Sequence, residues 1–325
     1  LKFGKGENFF PMKVDDYVGK CSLHVMDRGQ GVPIIPPPLM SLPVLAEFPD
    51  QDHYLVYAVR RVQDPEEQAR LEEFYEEMSR AKVLGIGNIL KRLREKAVAI
   101  GIDLMKFTLP LDLPEKVRDH AREKYGDIEQ NPPTYYYRVV EDEESGLNVI
   151  QYWFFYAYND FATSHDGTND HEADWEGIHL FFKGDAEEPF WATYSSHLGR
   201  GKELGRPWDP SHMEFEGDHP VVYVGAGSHA SYHSPEPHPP DPEFKPGDVV
   251  VGSPDGLAWF EPEPFGNKPW FTRYQGRWGA HRWETLLLKV LDIVGGAPSG
   301  PKFSRDGNLR PQWEHPAQYA GLVEE

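Results

Sequence analysis

The chain has 325 residues, 39% of them hydrophobic and 13% aromatic, enough for one large or two ordinary domains with a real core. Its formal net charge of −20 argues against nucleic acid as a partner and against capture by an anionic membrane, and it is compatible with cation binding. Cys21 is the only cysteine, so no intrachain disulfide is possible, and no stretch of about 18 apolar residues reads as a transmembrane segment.

Thirty glycines and thirty prolines imply many turns, as in β-rich architectures. Residues 1 to 63 read as mostly extended. Phe9-Phe10-Pro11 and Val14 to Val18 open the fold, and Pro33 to Pro38 reads as a rigid turn or polyproline segment. His53 to Arg60, rich in β-branched and aromatic residues, predicts a strand.

Residues 64 to 128 change character. Asp64-Pro65-Glu66-Glu67 supplies a cap, a proline at the first helical position and an acid three residues after the cap. Leu71, Phe74, Tyr75 and Met78 follow at helical spacing, and further helices are expected over Val83 to Ala99 and Pro114 to Tyr125. The segment is expected to be a helical insertion packed on a sheet. The apolar, locally basic run Val83 to Leu111 raises lipid contact as a sharper alternative, against which the overall charge and Gly85, Gly87 and Gly101 weigh.

From Pro132 the β character returns. Thr134 to Val140 and Asn148 to Tyr156 predict neighbouring strands joined by the turn Glu141 to Gly146. The second is apolar on both faces and therefore central. A loop from Asp160 leads into a strand over Ala173 to Phe182. Phe190 to Ser196 is a further strand, and Leu198 to His219 a polar loop. A short buried strand from Pro220 ends in Gly225-Ala226-Gly227, where glycines permit close backbone approach or positive φ. Pro235 to Pro246 is a surface loop, Trp259 to Trp283 closes an end of the fold, Glu284 to Val294 is a strand or a helix, and the tail to Glu325 is irregular.

Acids and histidines crowd between Asp160 and Phe182 beside a strongly apolar run. Side chains alternate along a strand, so Asp174, Glu176, Ile178, Leu180 and Phe182 share one face. Two carboxylates thus begin a face that continues as core, a costly placement unless they are paired, hydrogen-bonded or bound to a metal. With His171 just before the strand and Asp160 after the preceding apolar run, they are candidate ligands of a divalent cation. The mostly carboxylate set favours Ca²⁺ or Mg²⁺ and leaves Mn²⁺ or Zn²⁺ open. His165, Asp166, Asp170, Glu172 and His179 are candidates for a base or a supporting role, with His179 on the opposite face from Asp174. His229, after the paired glycines, is a candidate fifth ligand or proton-transfer group, or a histidine that pins a loop. Trp175 reads as core rather than as a platform for sugar stacking.

The run Gln151-Tyr152-Trp153-Phe154-Phe155-Tyr156, the run Asp170-His171-Glu172-Ala173-Asp174-Trp175-Glu176, and His219 to Tyr232 around Gly225-Ala226-Gly227-Ser228-His229 resemble the vacuolar protein sorting-associated protein 62 family. Glu7-Asn8-Phe9-Phe10-Pro11, Gly276-Arg277-Trp278-Gly279 and Gly300-Pro301 fit it too, so the resemblance covers most of the chain outside the helical insertion. More distantly, the chain is similar to the necrosis- and ethylene-inducing peptide-like (NLP) cytolysins, whose heptad Gly-His-Arg-His-Asp-Trp-Glu aligns with Asp170 to Glu176. That similarity implies a β-sandwich and places a divalent cation among His171, Asp174, Glu176 and Asp160. The glycine and second histidine of the heptad are replaced by Asp170 and Ala173, which touches the cytolytic activity more than the cation site.

The expected fold is therefore mainly β, a single β-sandwich domain of two packed, largely antiparallel sheets over residues 1–325, with a helical insertion at 64–128. The first functional expectation is a cation-dependent hydrolase or lyase acting on a glycoside or lipid head group, with His229, Glu172 and Asp170 as candidate catalytic residues. The alternatives are a non-catalytic, cation-dependent sugar- or glycolipid-binding protein, and a trafficking or structural module braced by the metal. The chain begins with Leu1, which leaves open both a cytoplasmic location and secretion after removal of a leader. Oligomeric state is not legible.

Overall fold

The structure is a computed structural model. It describes residues 1–3, 7, 9–25, 34–35, 37–57, 134–159, 171–195, 201–235, 262–266, 268–279, 297–304 and 306–323. The expected helical insertion at 64–128 lies outside these residues, as does the segment 160–170 with Asp160, His165, Asp166 and Asp170.

Strands dominate what is described. In chain order they are β1 (Lys2–Phe3), β2 (Cys21–Val25), β3 (His53–Tyr57), β4 (Tyr135–Asp142), β5 (Leu147–Asn159), β6 (His171–Lys183), β7 (Trp191–Tyr194), β8 (Gly205–Pro207), β9 (Phe215–Glu216), β10 (His219–Pro220), β11 (Tyr223–Val224), β12 (Ser231–Tyr232) and β13 (Glu263–Pro264). The helices are short: α1 (Val14–Val18), α2 (Leu42–Leu45), α3 (Pro269–Arg273), α4 (Pro311–Glu314) and α5 (Pro316–Tyr319).

The centre is a six-stranded sheet in the order β13-β4-β5-β6-β7-β8, antiparallel except for the β13–β4 pair. Its middle strands are apolar on both faces because both faces are covered. Trp153, Phe155 and Trp175 pack on one side with Tyr17 of α1, Cys21 and Leu23 of β2, and Leu55 and Tyr57 of β3. Phe154, Tyr156, Ile178 and Leu180 pack on the other with Phe3, Tyr223, Val224 and Tyr232 of the three-stranded sheet β1-β11-β12. The fold is mainly β, with sheet packed on sheet, as expected. The single cysteine, Cys21, is buried and free.

β5 and β6 run longer than the sequence suggests, to Asn159 and from His171. The register that sets Phe154 opposite Glu176 and Tyr156 opposite Asp174 continues to Tyr158 opposite Glu172 and Asn159 opposite His171. His171 is therefore a strand residue. One early expectation changes. Val14–Val18 is a helix rather than extended chain, because Val14, Tyr17 and Val18, at i, i+3 and i+4, bury one face. Pro37–Leu39 forms a 3₁₀ turn at the end of the stretch Pro33 to Pro38, in keeping with the turn expected there, and carries it on to Leu39. Among the described residues, no helix is long and apolar enough to cross a membrane.

Candidate functional site

Asp174 sits at the centre of a buried hydrogen-bonded cluster. Its Oδ1 accepts the Trp175 backbone N–H at 2.9 Å. Its Oδ2 accepts the Asn159 amide at 2.9 Å and Nδ1–H of His229 at 3.2 Å. The other ring nitrogen of His229 lies 3.6 Å from Glu7 Oε1, and the ring stacks on Tyr156 with centroids 4.0 Å apart and planes 3° from parallel. Glu7 in turn accepts the Gly227 N–H at 2.9 Å and the Phe9 N–H at 3.0 Å. His229 is thus held between two carboxylates, with none of its surface exposed.

The charges follow from that arrangement. Burial pulls the His229 imidazole down, but its hydrogen bond to Asp174, the close approach of Glu7 and the charges of both together outweigh burial and raise it to about 9. Burial pushes the Asp174 carboxyl up, while the hydrogen bond from His229, the nearby charges of His171 and His229, and the Asn159 amide together hold it below its ordinary value. Glu7 is likewise lowered against burial, chiefly by His229. At neutral pH the cluster is an imidazolium between two carboxylates.

Glu176, two residues along the same face, is buried and accepts a short hydrogen bond from the Ser195 hydroxyl. Ser195 also takes the Gly177 N–H at 2.6 Å, and its carbonyl accepts the Ser231 N–H at 2.8 Å. On the strands and turn that meet here are buried polar groups without a hydrogen-bond partner among the described residues: the hydroxyls of Tyr156, Ser228 and Ser231 and the side-chain oxygen of Asn159. The Tyr156 hydroxyl is raised far above its ordinary range, first by burial and then by the charges of Glu176, Glu7 and Asp174.

His171 is half-buried, and its Nδ1–H donates to the Ala173 carbonyl at 2.8 Å, which in the neutral ring leaves Nε2 as the acceptor. Ala173 has φ of 56° and His229 has φ of 59°. They are the non-glycine residues of positive φ among those described, and both abut Asp174. A β-carbon makes that conformation costly, and such residues gather at functional sites. At Ala173 the reversal has a visible effect. Glu172 turns to the face opposite Asp174, where its Oε2 accepts the Tyr57 N–H at 3.2 Å and its β-carbon packs against Gly279. His179 also faces away, against Gln151 and the Trp153 ring, and Trp175 belongs to the core.

The structure therefore brings Asp174 and Glu176 to one face, sets His171 within electrostatic reach of Asp174, and takes Glu172 away. The ligand atoms of His171, Asp174 and Glu176 do not converge on one point. Among the described residues, the three His and acid side chains whose ligand atoms all lie within 4.8 Å of one another are Asp50, Asp52 and His53, at the start of β3. There both acids are exposed, and His53 Nδ1 is already 3.2 Å from the Asp50 carbonyl and 3.0 Å from Asp52 Oδ1. Sequence reading missed Glu7 and Asn159. Neither carries a local pattern, and Glu7 reaches the site only because β1 pairs with β11, ahead of the Gly225 to His229 turn.

No family model matches the sequence, and no curated protein matches it. Similar solved structures include NLPPya in complex with mannosamine, at 13% identity and a TM-score of 0.27 over 41% of this chain and 51% of that one. They also include necrosis and ethylene inducing protein 2 from the causal agent of cocoa's witches' broom disease, at 13% identity and a TM-score of 0.30 over 50% of this chain and 68% of that one. The match spans about half the length of NLPPya. Likeness at this level assigns neither an activity nor a ligand, and nothing among these comparisons places the chain in the vacuolar protein sorting-associated protein 62 family.

Proposed function

We propose that the buried end of the central sheet binds a hydroxyl-rich ligand, a sugar or a lipid head group, with the help of a divalent cation that would draw together His171, Asp174 and Glu176, whose ligand atoms stand apart in this structure, with Asp160 as a further ligand. The observation that carries the reading is the buried hydroxyls of Tyr156, Ser228 and Ser231, without a hydrogen-bond partner among the described residues, on the segments that hold the two carboxylates. A buried polar group left unpaired costs about 1–3 kcal/mol, and the hydroxyls of a polyol would remove that penalty at several groups together.

The donor set suits a hard cation. Asp174 Oδ1 accepts one hydrogen bond and keeps a lone pair, and His171 has its Nδ1 fixed by a backbone carbonyl, as ligating histidines commonly do. The cation would supply positions for hydroxyl or phosphate oxygens. Binding is favoured over hydrolysis or lyase chemistry. His229, a candidate base, is a buried cation with a carboxylate at each ring nitrogen, and Glu172, a second candidate, faces the other side of the sheet. We read His229 as the group that positions Asp174.

Calorimetric titration with Ca²⁺, Mg²⁺ and Mn²⁺ is expected to give one site per chain. His171→Ala, at a half-buried position, should weaken binding by about tenfold or more. Asp174→Asn with Glu176→Gln should abolish it in protein whose circular dichroism is unchanged. An unaltered metal stoichiometry in the double variant would overturn the cation assignment, and sugar binding that survives chelation would uncouple ligand from cation.

A further inference from the structure

A second site lies on the same face of the central sheet, further from the acids. It is a cavity of about 250 Å³ lined by Tyr152 and Phe154 of β5, Ile178, Leu180 and Phe182 of β6, and Trp208. That volume is just below the usual range of small-molecule sites, about 300–1,000 Å³, and the lining has their usual apolar and aromatic character. Its carboxylates are Glu187 and Asp218, alongside His219. Among the described residues no lysine or arginine lines it. Glu187 and Asp218 make no ion pair among the described residues. The nearby cations are engaged elsewhere, Lys2 with Glu214 at 2.7 Å and Lys183 over the Phe190 ring.

We propose that this cavity binds a small free quaternary ammonium compound with an apolar body. Aromatic faces attract such a cation through their quadrupole, tryptophan most strongly, and the two acids add the complementary charge. A neutral apolar ligand would gain from the same walls but not from the charge, so charge discrimination is the signature. The inference is independent of the cation site at Asp174 and Glu176.

The test is titration of the intact chain with phenyltrimethylammonium and with tert-butylbenzene, its uncharged analogue of similar shape, followed by tryptophan fluorescence and ligand NMR. The ammonium compound should bind about tenfold tighter or more. Trp208→Ala should weaken it severalfold. The surface pair Glu187→Gln with Asp218→Asn, which spares the core, should narrow the gap between the two ligands. Equal or tighter binding of tert-butylbenzene, no saturable binding of the ammonium compound, or binding to phosphatidylcholine vesicles alone would overturn the proposal.

Discussion

His229 decides the electrostatics of the acidic site. Acids buried at 174 and 176 need pairing, hydrogen bonds or a metal, and part of that need is met from within, by an imidazolium bonded to Asp174 and facing Glu7. The folded value near 9 exceeds the ordinary value of about 6.5, so the stabilisation is complete below about pH 6.5 and lost as pH rises through about 9. The difference is worth on the order of 3 kcal/mol. Asp174 and Glu7, both lowered, act in the opposite direction: their contribution is present above ordinary carboxylate values and lost as pH falls through the lowered ones. His179, lowered to about 3 by burial and by Arg138, adds to the acid loss below about pH 6.5, because there only the unfolded chain gains the proton. Urea unfolding of chelator-treated protein should therefore show stability falling from pH 7 toward pH 10. His229→Gln should be less stable at pH 7 and lack most of that alkaline slope. An unchanged slope in the variant would show that His229 is not the group responsible.

At the scale of elements, the paired strands β5 and β6 hold both sites, and one residue between them admits no side chain. A β-carbon at Gly177 would collide with the Tyr152 carbonyl and press on the Trp153 ring. Gly177→Ala is expected to lower stability by about 1–3 kcal/mol, read as a drop of several degrees in Tm. A Tm within a degree of the parent would mean that the pair shifts without cost. These two strands were the most legible part of the chain. Period-two patterning and apolar residues on both faces mark a central strand whatever covers it, and the same alternation put Asp174 and Glu176 on one face. Helix α1 was not legible, since five residues carry little periodicity. Nor was the turn of Glu172 away from Asp174, because nothing about an alanine announces a positive φ.

Over the whole molecule, a net charge of −20 sets up a field that draws in cations and that salt screens. Raising NaCl from about 50 to about 500 mM should weaken binding of Ca²⁺ and of phenyltrimethylammonium severalfold, with little effect on tert-butylbenzene. Salt-independent binding of both cations would confine the electrostatics to their immediate contacts. Patterning and composition alone determined a mainly β fold, the central strands, and the candidacy of His171, Asp174 and Glu176, because these rest on local alternation and on the cost of burying charge. Tertiary structure alone decided that Asp174 is met by His229, Asn159 and, through His229, Glu7, and that hydroxyls without a partner among the described residues come together from β5 and from the Ser228 to Ser231 segment. The Asn159 contact comes from the pairing of β5 with β6, while His229 and Glu7 are far from Asp174 in the chain and reach it only because the small sheet packs against the large one.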